Sequence, residues 1–590
     1  MNDYMLHFII AFVLTAILPI VLGSSWKKRL LGAFVSPVFF YCLFCNYDYI
    51  TYLEGTVPII ITYLGAFFSC FLYLFFSHYK VLQSGFEKKE LSIFVLIFYW
   101  VAQSVLLLYS FVIPWGLETF PLSNVEAVLF TLFAGTNEGA EEFVLSSFIA
   151  KALIPACIAI TLLGVAQISI AIILKRMRLN VEFGIQSFKF VLYGPTLKRY
   201  VCQIQKCITT IIALYCVVIS LALPSIVMNA SFKALFQQPV DSDLYIHHFI
   251  KSNSGQVSVR AEPKNLIVIL LESMETNFGS HTPEIKNLEK KYVNFAPGGV
   301  SVAGTSWTIA AITAKLCGIP LNMPMGINEY LGKLPTYLPG AYCLTDLLEN
   351  RKYNQVFIQG SSGNFTQIRE FANVHGHIDL HDLEHYREKG KVPNDYNVFW
   401  GIEDRKLYQY VKEELDSLYT LDAPFALYLT TMDTHQPDGY VDEECNQEFK
   451  NIEKKYVKAL RCASSQLYAF ILWAKVQPWF ENTVISVMGD HTQPRLSAKV
   501  GVSKTDSLYW TNFMINSAIQ KPVKSRQYSS LDMFPTLLEA MGFELEHRGL
   551  ALGRSLFSDS STMLELYGRK TLDSLLRERS VQYDKFLFGE

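Results

Sequence analysis

Long apolar blocks in the first 230 residues constrain the fold of this 590-residue chain more than any other feature. A transmembrane helix needs about 20 consecutive, mostly apolar residues. Six stretches have roughly that length or more, at 5–23, 29–47, 55–77, 91–115, 146–174 and 207–229. The alternative explanation is six buried helices of a large soluble core. It is disfavoured because several of the blocks carry no charged residue over a full span. The pattern predicts a polytopic α-helical membrane domain over residues 1–229.

The loops between these blocks predict the orientation of the membrane domain. Lys and Arg cluster after the first, third and fifth blocks, whereas the loops 48–54 and 116–144 contain neither residue. Basic loops face the cytoplasm, and an even number of spans then places residues 230–590 in the periplasm or outside the cell. The first block has no basic segment before it, so we expect no cleavable signal peptide.

The second half of the chain has a different hydrophobic pattern, in which short apolar runs alternate with helical stretches. After a polar connector at 230–263, unbroken apolar runs occur at Leu266–Leu271, Val356–Ile358, Phe425–Leu429 and Val484–Val487, with helical periodicity at Asp404–Leu418 and Asn451–Val476. Unbroken apolar strands between helices predict an α/β domain at 264–590 whose mostly parallel sheet is covered on both faces. The net charge of −2 gives no indication of a nucleic-acid partner.

Acidic residues and histidines follow three of the predicted strands. In open parallel sheets the functional site lies beyond the carboxyl ends of the strands. The residues at these ends are Glu272, then Thr430, Thr431, Asp433 and His435, and then Gly489, Asp490 and His491. One such strand end would be ordinary loop chemistry, but three together predict a site.

Thr305 precedes a predicted helix, Ile309–Leu316, that ends before Gly318 and Pro320. It stands about where a helix N-cap is expected, and capping alone would explain a threonine there. A helix N-terminus also attracts phosphate, and a hydroxyl bound to a divalent metal can attack phosphorus. Spacing alone leaves both interpretations open.

The order Glu272, Thr305, Asp490-His491 resembles the alkaline phosphatase/sulfatase superfamily. Within it, GTSWTIAAITAKLCGIPL (304–321) is similar to the membrane phosphoglycerol transferases that modify periplasmic glucans, to which lipoteichoic acid synthases are close relatives. The other similar motifs, in the family's order, are LLESME (270–275), TTMDTHQPDG (430–439), VMGDHTQPR (487–495) and LDMFPTLLEAMG (531–542). The resemblance covers most of 264–555 and implies a sulfatase-like α/β fold.

The resemblance implies a role for each of seven residues. One divalent metal ion, Mn²⁺ or Zn²⁺ rather than Mg²⁺ because one ligand is an imidazole, would be bound by Glu272, Thr305, Asp490 and His491. Thr305 would also be the nucleophile. His435 would contact the phosphate or move a proton, and Trp400 and His375 would line the headgroup pocket. Capping, core packing and a solvated loop are the alternative explanations for His435, Trp400 and His375 respectively.

The implied reaction moves a phosphoglycerol headgroup from phosphatidylglycerol to an extracytoplasmic glycan or other hydroxyl acceptor through a phosphothreonine. The implied location is the bacterial inner membrane, with the catalytic domain in the periplasm. The alternatives are a phosphoethanolamine transferase acting on lipid A or glycan, a membrane-anchored phosphodiesterase, and a non-enzymatic sensor that keeps the fold. Sulfatase activity is disfavoured because Thr305 replaces the Cys or Ser of sulfatases. No Cys occurs in GVSVAGTSW (299–307), which weakens the phosphoethanolamine alternative.

Two further residue groups have open interpretations. The cysteines of the second half are Cys317, Cys343, Cys445 and Cys462, an even number that allows up to two disulfides in an oxidising compartment or four buried thiols. The histidine cluster comprises His375, His377, His381 and His385. Its spacing is not a compact metal-binding pair on an assured helix, so a polar surface loop is favoured over a second metal site.

Overall fold

The computed structural model describes the second half of the chain almost completely and the first half in part. Its residues are 93–119, 146–177, 181–185, 188–192, 204–205, 208–209, 240–252, 254–259, 262–322, 336–364, 367–396, 398–501, 509–520, 525–578 and 580–589. They divide into two compact units. The first contains residues 93–117 and 146–209, and the second contains residues from 240 onward.

Two long apolar helices, α1 (Ile93–Thr119) and α2 (Ile154–Met177), lie where the sequence predicts the fourth and fifth spans. A π-helical turn precedes α2, and an antiparallel hairpin of β1 (Val181–Ile185) and β2 (Phe188–Leu192) follows it. In the described part of the chain, one helical stretch, Ser146–Ile170, is long and apolar enough to cross a membrane. Outside the described residues lie the predicted spans 5–23, 29–47, 55–77 and almost all of 207–229.

A buried hydrogen-bond network joins three segments of the first unit. Gln103 of α1 donates its amide Nε2 to Thr209 Oγ1 at 3.0 Å and to the carbonyl of Gln205 at 2.7 Å. Its amide oxygen accepts from Gln167 Nε2 of α2 at 2.6 Å. Hydrogen bonds of this kind satisfy polar side chains that are buried between apolar helices. Gln103 therefore fixes the contact of α1 with α2 and with residues 205–209.

The second unit is an α/β domain of eleven described strands and thirteen described helices. The strands are β3 (Val257–Val259), β4 (Asn265–Leu271), β5 (Val293–Asn294), β6 (Asn354–Gln359), β7 (Asp379–His381), β8 (Phe425–Thr430), β9 (Thr483–Gly489), β10 (Asn512–Ile515), β11 (Phe543–Leu545), β12 (Gly549–Leu550) and β13 (Gly553–Arg554). The helices are α3 (Asp243–His248), α4 (Pro283–Lys291), α5 (Thr308–Cys317), α6 (Leu344–Asn350), α7 (Ile368–Val374), α8 (Leu383–Glu388), α9 (Asp404–Thr420), α10 (Glu443–Glu448), α11 (Lys455–Ala474), α12 (Pro494–Lys499), α13 (Met533–Met541), α14 (Met563–Leu576) and α15 (Val581–Phe588).

Seven strands form the central sheet in the order β5–β10–β9–β4–β8–β6–β7. The pairs β9–β4, β4–β8, β8–β6 and β6–β7 are parallel, and β10 runs antiparallel to both of its neighbours. The prediction of a mostly parallel sheet is therefore confirmed. The four predicted strands correspond to β4, β6, β8 and β9, and their carboxyl ends meet at one edge of the sheet.

Both faces of the sheet are covered, as the unbroken apolar strands predict. Along β4, Leu266, Val268 and Leu270 belong to one buried hydrophobic cluster, which includes the apolar residues of α5 and α13. The alternate residues of β4, from Ile267 to Leu271, belong to a second cluster with α9 and α11. Successive side chains of a strand point to opposite faces, so a strand without polar residues is required wherever helices cover both.

Two disulfides form in the second unit, between Cys317 and Cys343 and between Cys445 and Cys462. Of the two open interpretations of these cysteines, the structure supports disulfides over thiols. The first bond joins the end of α5 to the residue before α6 and the second joins α10 to α11.

Replacing both Cys317 and Cys343 by Ser should lower the free energy of unfolding by about 2–4 kcal/mol. The reason is that the unfolded chain has more conformational entropy without the disulfide than with it. Thermal unfolding of the full-length protein in detergent, with and without reductant, measures the effect. Cys157→Ser, which changes an exposed free cysteine, is the control and should behave like the wild type. Equal melting temperatures for all three proteins would contradict the prediction.

Candidate metal centre

Three buried side chains converge beyond the carboxyl ends of β4 and β9. The ligand atoms of Glu272, Asp490 and His491 all lie within 4.8 Å of one another. His491 Nε2 is 3.4 Å from Asp490 Oδ2 and 3.9 Å from Glu272 Oε1. Each residue is at most 5% exposed. The structure therefore brings together three of the four predicted metal ligands through residues that directly follow adjacent parallel strands.

The backbone around these ligands is tightly constrained. Ser273 has a positive φ of 49°, which allows its N–H to donate to Asp490 Oδ1 at 2.8 Å while its hydroxyl donates to Glu272 Oε1 at 2.6 Å. A Cβ on Gly489 would lie 2.1 Å from the carbonyl oxygen of Met274. Only glycine permits this approach. Strain of this kind is stored where the surroundings fix a functional geometry.

The chemistry of the cluster fits a divalent cation. Asp490 Oδ2 is buried and has no hydrogen-bond partner, so it offers a free lone pair toward His491. His491 Nδ1 faces the carbonyl of Thr492 at 3.4 Å. With the proton on Nδ1, toward this carbonyl, Nε2 would be the ligand atom, the arrangement found in metal-binding histidines. Burial, and then the neighbouring Asp490 carboxylate, raise the pKa of Glu272 to about 8 despite the opposing effect of His491.

The affinity of the protein for Mn²⁺ should rise with pH up to about 8. Without a cation the Glu272 carboxyl, whose pKa is raised to about 8, is mostly protonated at neutral pH, and a metal ion must displace that proton. One displaced proton lowers the affinity by up to about tenfold for each pH unit below the pKa. Titration calorimetry of chelator-treated protein between about pH 6 and 8 measures the slope.

A matched control is Glu275→Gln. Glu275 is another buried carboxyl, but its oxygens accept from Gln493 N and from Ser497 Oγ. This variant should keep the pH dependence of metal binding. An affinity that does not change with pH in the wild type would contradict the assignment of Glu272 as a protonated ligand.

Thr305 lies in the loop before α5, two residues ahead of the N-cap residue, Trp307. The prediction that Thr305 occupies the N-cap position is therefore wrong, and capping does not explain this threonine. Its hydroxyl accepts from Val302 N at 2.9 Å and donates to the Val302 carbonyl at 3.0 Å, and the residue is fully buried. Gly304 precedes it with a φ of +72°, where a Cβ would approach Asn322 Oδ1. The turn from 302 to 305 thus fixes the position of the hydroxyl.

Two contacts connect the Thr305 segment with the metal-ligand loop after β9. Upstream of Thr305, Ser301 Oγ accepts from Thr492 N at 3.3 Å. Downstream, Lys315 of α5 donates its Nζ to the carbonyl of Asp490 at 2.7 Å. Thr305 is therefore held between two points that are fixed to residues 490–492.

Lys315 is a site residue that the sequence motifs leave unassigned. The side chain is fully buried, its Nζ also donates to Ser530 Oγ at 3.0 Å, and it lies 3.9 Å from the centroid of the Trp510 ring. Burial lowers the pKa of Lys315 to about 7, and the Asp490 charge opposes this shift. The signal in the sequence was a single lysine within an otherwise uncharged helix. Lysine is rarely buried without a partner, so a lysine in a buried helix indicates a specific contact.

His435 and Trp400 lie together. Their ring centroids are 4.5 Å apart, and both donate to the carbonyl oxygen of Gln436, from Nδ1 of His435 at 2.9 Å and Nε1 of Trp400 at 3.2 Å. Desolvation lowers the pKa of His435, while this hydrogen bond and the Asp490 charge oppose the shift. In the neutral ring, the proton on Nδ1 faces this carbonyl and the lone pair lies on Nε2.

His375 does not belong to this group. It is 2% exposed, its Nδ1 is 3.1 Å from Asp346 Oδ2, and its Nε2 is 3.0 Å from the carbonyl of Tyr337. Both ring nitrogens are occupied, so the prediction that His375 lines a headgroup pocket is wrong, and so is the alternative of a solvated loop. His375 stabilises the packing of α7 beside α6.

A comparison with protein families gives a match over most of the second unit. Residues 264–543 match the sulfatase family, and this part of the chain forms the mostly parallel seven-stranded sheet. This confirms the resemblance that the motifs predict.

Two curated proteins are similar to part of this chain. Phosphoglycerol transferase I of Escherichia coli (strain 55989 / EAEC) is 28% identical over 361 residues, which cover 59% of this chain and 46% of that protein. Phosphoglycerol transferase I of Citrobacter koseri is 28% identical over 306 residues, which cover 50% of this chain and 39% of that protein. The chain thus spans less than half the length of these relatives.

Two solved structures have similar folds. The lipoteichoic acid synthase LtaP from Listeria monocytogenes has a TM-score of 0.42 at 16% identity, with 58% of this chain and 97% of that chain covered. The integral membrane protein lipooligosaccharide phosphoethanolamine transferase A (EptA) from Neisseria meningitidis has a TM-score of 0.41 at 14% identity, with 90% and 95% covered.

Proposed function

We propose that this chain transfers a phosphoglycerol headgroup from phosphatidylglycerol to a hydroxyl of an extracytoplasmic glycan or another acceptor, with Thr305 as the nucleophile. The observation that carries the proposal is the convergence of Glu272, Asp490 and His491 within 4.8 Å, with Asp490 Oδ2 left without a hydrogen-bond partner. The name of the curated relatives, phosphoglycerol transferase I, supports the choice of headgroup.

The reaction has two displacements at the same phosphorus atom. In the first, Thr305 Oγ1 attacks the lipid phosphodiester, the bond from phosphorus to the diacylglycerol oxygen breaks, and the hydroxyl proton of Thr305 ends on that oxygen. Glycerophosphate remains esterified to Thr305. In the second, an acceptor hydroxyl attacks phosphorus, the bond to Thr305 Oγ1 breaks, and the acceptor proton returns to Thr305.

His435 is the residue we assign to proton movement in the second displacement. Its Nδ1–H is held by the Gln436 carbonyl, and burial keeps the ring neutral by lowering its pKa. The lone pair of Nε2 can therefore take the proton of an acceptor hydroxyl. Trp400 packs on this ring and donates to the same carbonyl, which fixes the direction of Nε2.

Glu272, Asp490 and His491, together with Thr305, would hold one divalent ion, Mn²⁺ or Zn²⁺, since an imidazole and carboxylates suit both. When bound, such an ion supplies positive charge that favours the alkoxide form of a threonine hydroxyl and offsets charge on phosphoryl oxygens. Lys315 supports this arrangement through the carbonyl of Asp490.

The proposed setting is the periplasmic face of a bacterial inner membrane, with residues 1–229 as a multi-pass membrane domain, 230–263 as connector and 264–590 as catalytic domain. Helix α2 supports this setting, because Ile158, Leu162 and Val165 are more than half exposed on a helix that has no charge over a full span. Exposed apolar surface of this extent suits lipid. The two disulfides suit an oxidising compartment. Tethering would keep the nucleophile near its lipid donor.

Mass spectrometry of the full-length protein, incubated with Mn²⁺ and phosphatidylglycerol, tests the proposal. We expect a glycerophosphate adduct on the peptide that contains Thr305, with release of diacylglycerol. A phosphoethanolamine adduct from a mixed lipid sample would move the donor and keep the nucleophile. Absence of any adduct and of diacylglycerol in folded, metal-loaded protein would overturn the proposal.

A further inference from the structure

A second group of side chains of metal-ligating types lies at the β7 edge of the sheet, far along the strand order from β9. Asp379 and His381 belong to β7, and His385 belongs to α8. One ligand atom of each lies within 4.8 Å of the other two. The rings of His381 and His385 are stacked with centroids 3.9 Å apart. The sequence favoured a polar surface loop here, but the structure buries His381 within a strand.

His381 lies between two carboxylates, and this environment suits a positive charge. Its Nε2 is 3.1 Å from Asp379 Oδ2, and its Nδ1 is 3.5 Å from Glu414 Oε2 of α9. A neutral imidazole has one N–H and can donate to one carboxylate only. If Nδ1–H faces Glu414, the lone pair of Nε2 faces the oxygen of Asp379. A positive ion between Nε2 and the Asp379 oxygen would remove the repulsion between these two lone pairs. The order Glu414 carboxylate, His381 imidazole and metal ion would then be that of known carboxylate–imidazole–metal triads.

The scaffold around the group is fixed by other contacts. Asp382, between β7 and α8, caps the helix by accepting from His385 N at 2.9 Å. Its other oxygen accepts from Gly363 N and pairs with Arg369. Tyr386 stacks on Tyr410 of α9 with centroids 4.2 Å apart. These contacts help to fix the positions of β7, α8 and α9 independently of the histidine rings.

We propose that Asp379, His381 and His385 bind a divalent transition-metal ion of the Zn²⁺ class, with Glu414 orienting His381. Two imidazoles and one carboxylate are a common zinc set, whereas Mg²⁺ and Ca²⁺ prefer oxygen ligands. Neighbouring ligands of tetrahedral zinc are about 3.3 Å apart, and the Nε2–Oδ2 separation of 3.1 Å is already close to that. The bound ion would tie the edge strand β7 to α8. This site shares no residue with the centre at Glu272, so it does not depend on the proposed function.

Metal content of the full-length protein tests the proposal. The purified protein is stripped with chelator, reloaded with Zn²⁺ and desalted, and zinc per chain is measured. We expect two ions for the wild type, and one each for His385→Ala, Asp379→Asn and Asp490→Asn. His377→Ala is the matched control. His377 lies on the same stretch, its side chain is 75% exposed, and it contacts Glu349 instead of the cluster, so this variant should bind two.

The two replaced side chains are partly or largely exposed, which keeps loss of folding from explaining the result; the Asp379 side chain is 71% exposed. The zinc ion that Asp490→Asn removes should stay bound in His385→Ala and Asp379→Asn. Its retention shows in addition that the rest of the domain is folded. Zinc content that falls by one in His385→Ala and Asp379→Asn, but not in His377→Ala, supports the site. Equal zinc content in the wild type, His385→Ala and Asp379→Asn overturns it.

Discussion

Thr305→Ala is expected to lower the rate of headgroup release from phosphatidylglycerol by at least about a thousandfold, because the nucleophile of the first displacement is lost. The carboxylates and the imidazole of the metal centre are untouched, so the variant should still bind Mn²⁺. The turn from Val302 loses a donor and an acceptor, and each such hydrogen bond contributes about 1 kcal/mol of stability. Diacylglycerol release in detergent–lipid micelles, followed over time, measures the effect.

Thr305→Ser separates chemistry from structure. Serine keeps the hydroxyl and both contacts with Val302 but loses the γ-methyl group, which restricts the side-chain rotamer in threonine. This variant should retain measurable turnover and should form a glycerophosphate adduct at position 305, while Thr305→Ala forms none. Turnover by Thr305→Ala at the wild-type rate would eliminate the proposed mechanism, because no hydroxyl is left at that position to form the intermediate.

The central part of the sheet could be predicted because burial on both faces leaves a strong signal. The runs that became β4, β8 and β9 contain only apolar or small residues along their buried length, which few other environments favour. The short strand β7 was missed, because Asp379 and His381 look like loop residues and only pairing with β6 makes the segment a strand. The same holds for β10, whose antiparallel pairing depends on the position of β9.

The residues of the candidate metal centre could be predicted because they follow predicted strands and also lie in motifs that occur in the family's order. The carboxyl ends of β4 and β9 are adjacent because the two strands pair. The resemblance gave Glu272, Asp490 and His491 as one ligand set without giving that pairing. Residues without a motif were not found. Lys315 reaches Asp490 from a helix 175 residues earlier in the chain, and His375 is distinguished from a pocket residue only by its contacts with Asp346 and Tyr337. Such contacts follow from tertiary packing, which sequence spacing does not encode.

Asp490→Asn is expected to remove one metal ion per chain and to lower turnover at least as much as Thr305→Ala. The amide retains an oxygen for the N–H groups of Ser273 and His491, but an NH₂ group replaces the unpartnered Oδ2. A cation would then meet two donor hydrogens instead of a lone pair. Metal analysis and turnover of the same preparation measure both effects. The control is Asp532→Asn, which changes a buried carboxylate that accepts from Ser529 N and Arg554 N and should keep its metal.

The stability of Asp490→Asn gives an independent check. In metal-free wild type, the pKa of Glu272 is raised to about 8 by burial and by Asp490, whereas in the unfolded chain it is near 4.5. The native state therefore holds a proton that the unfolded state has released, and stability falls as pH rises from about 4.5 to 8.

Removal of the Asp490 charge lowers the pKa of Glu272 and reduces this loss. At pH 8 with chelator, the variant should melt above the wild type. With Mn²⁺ at a hundredfold excess over its dissociation constant, the wild type should gain about 2.7 kcal/mol and the order should reverse. A variant that melts below the wild type under both conditions would show that Asp490 serves packing and not the cation.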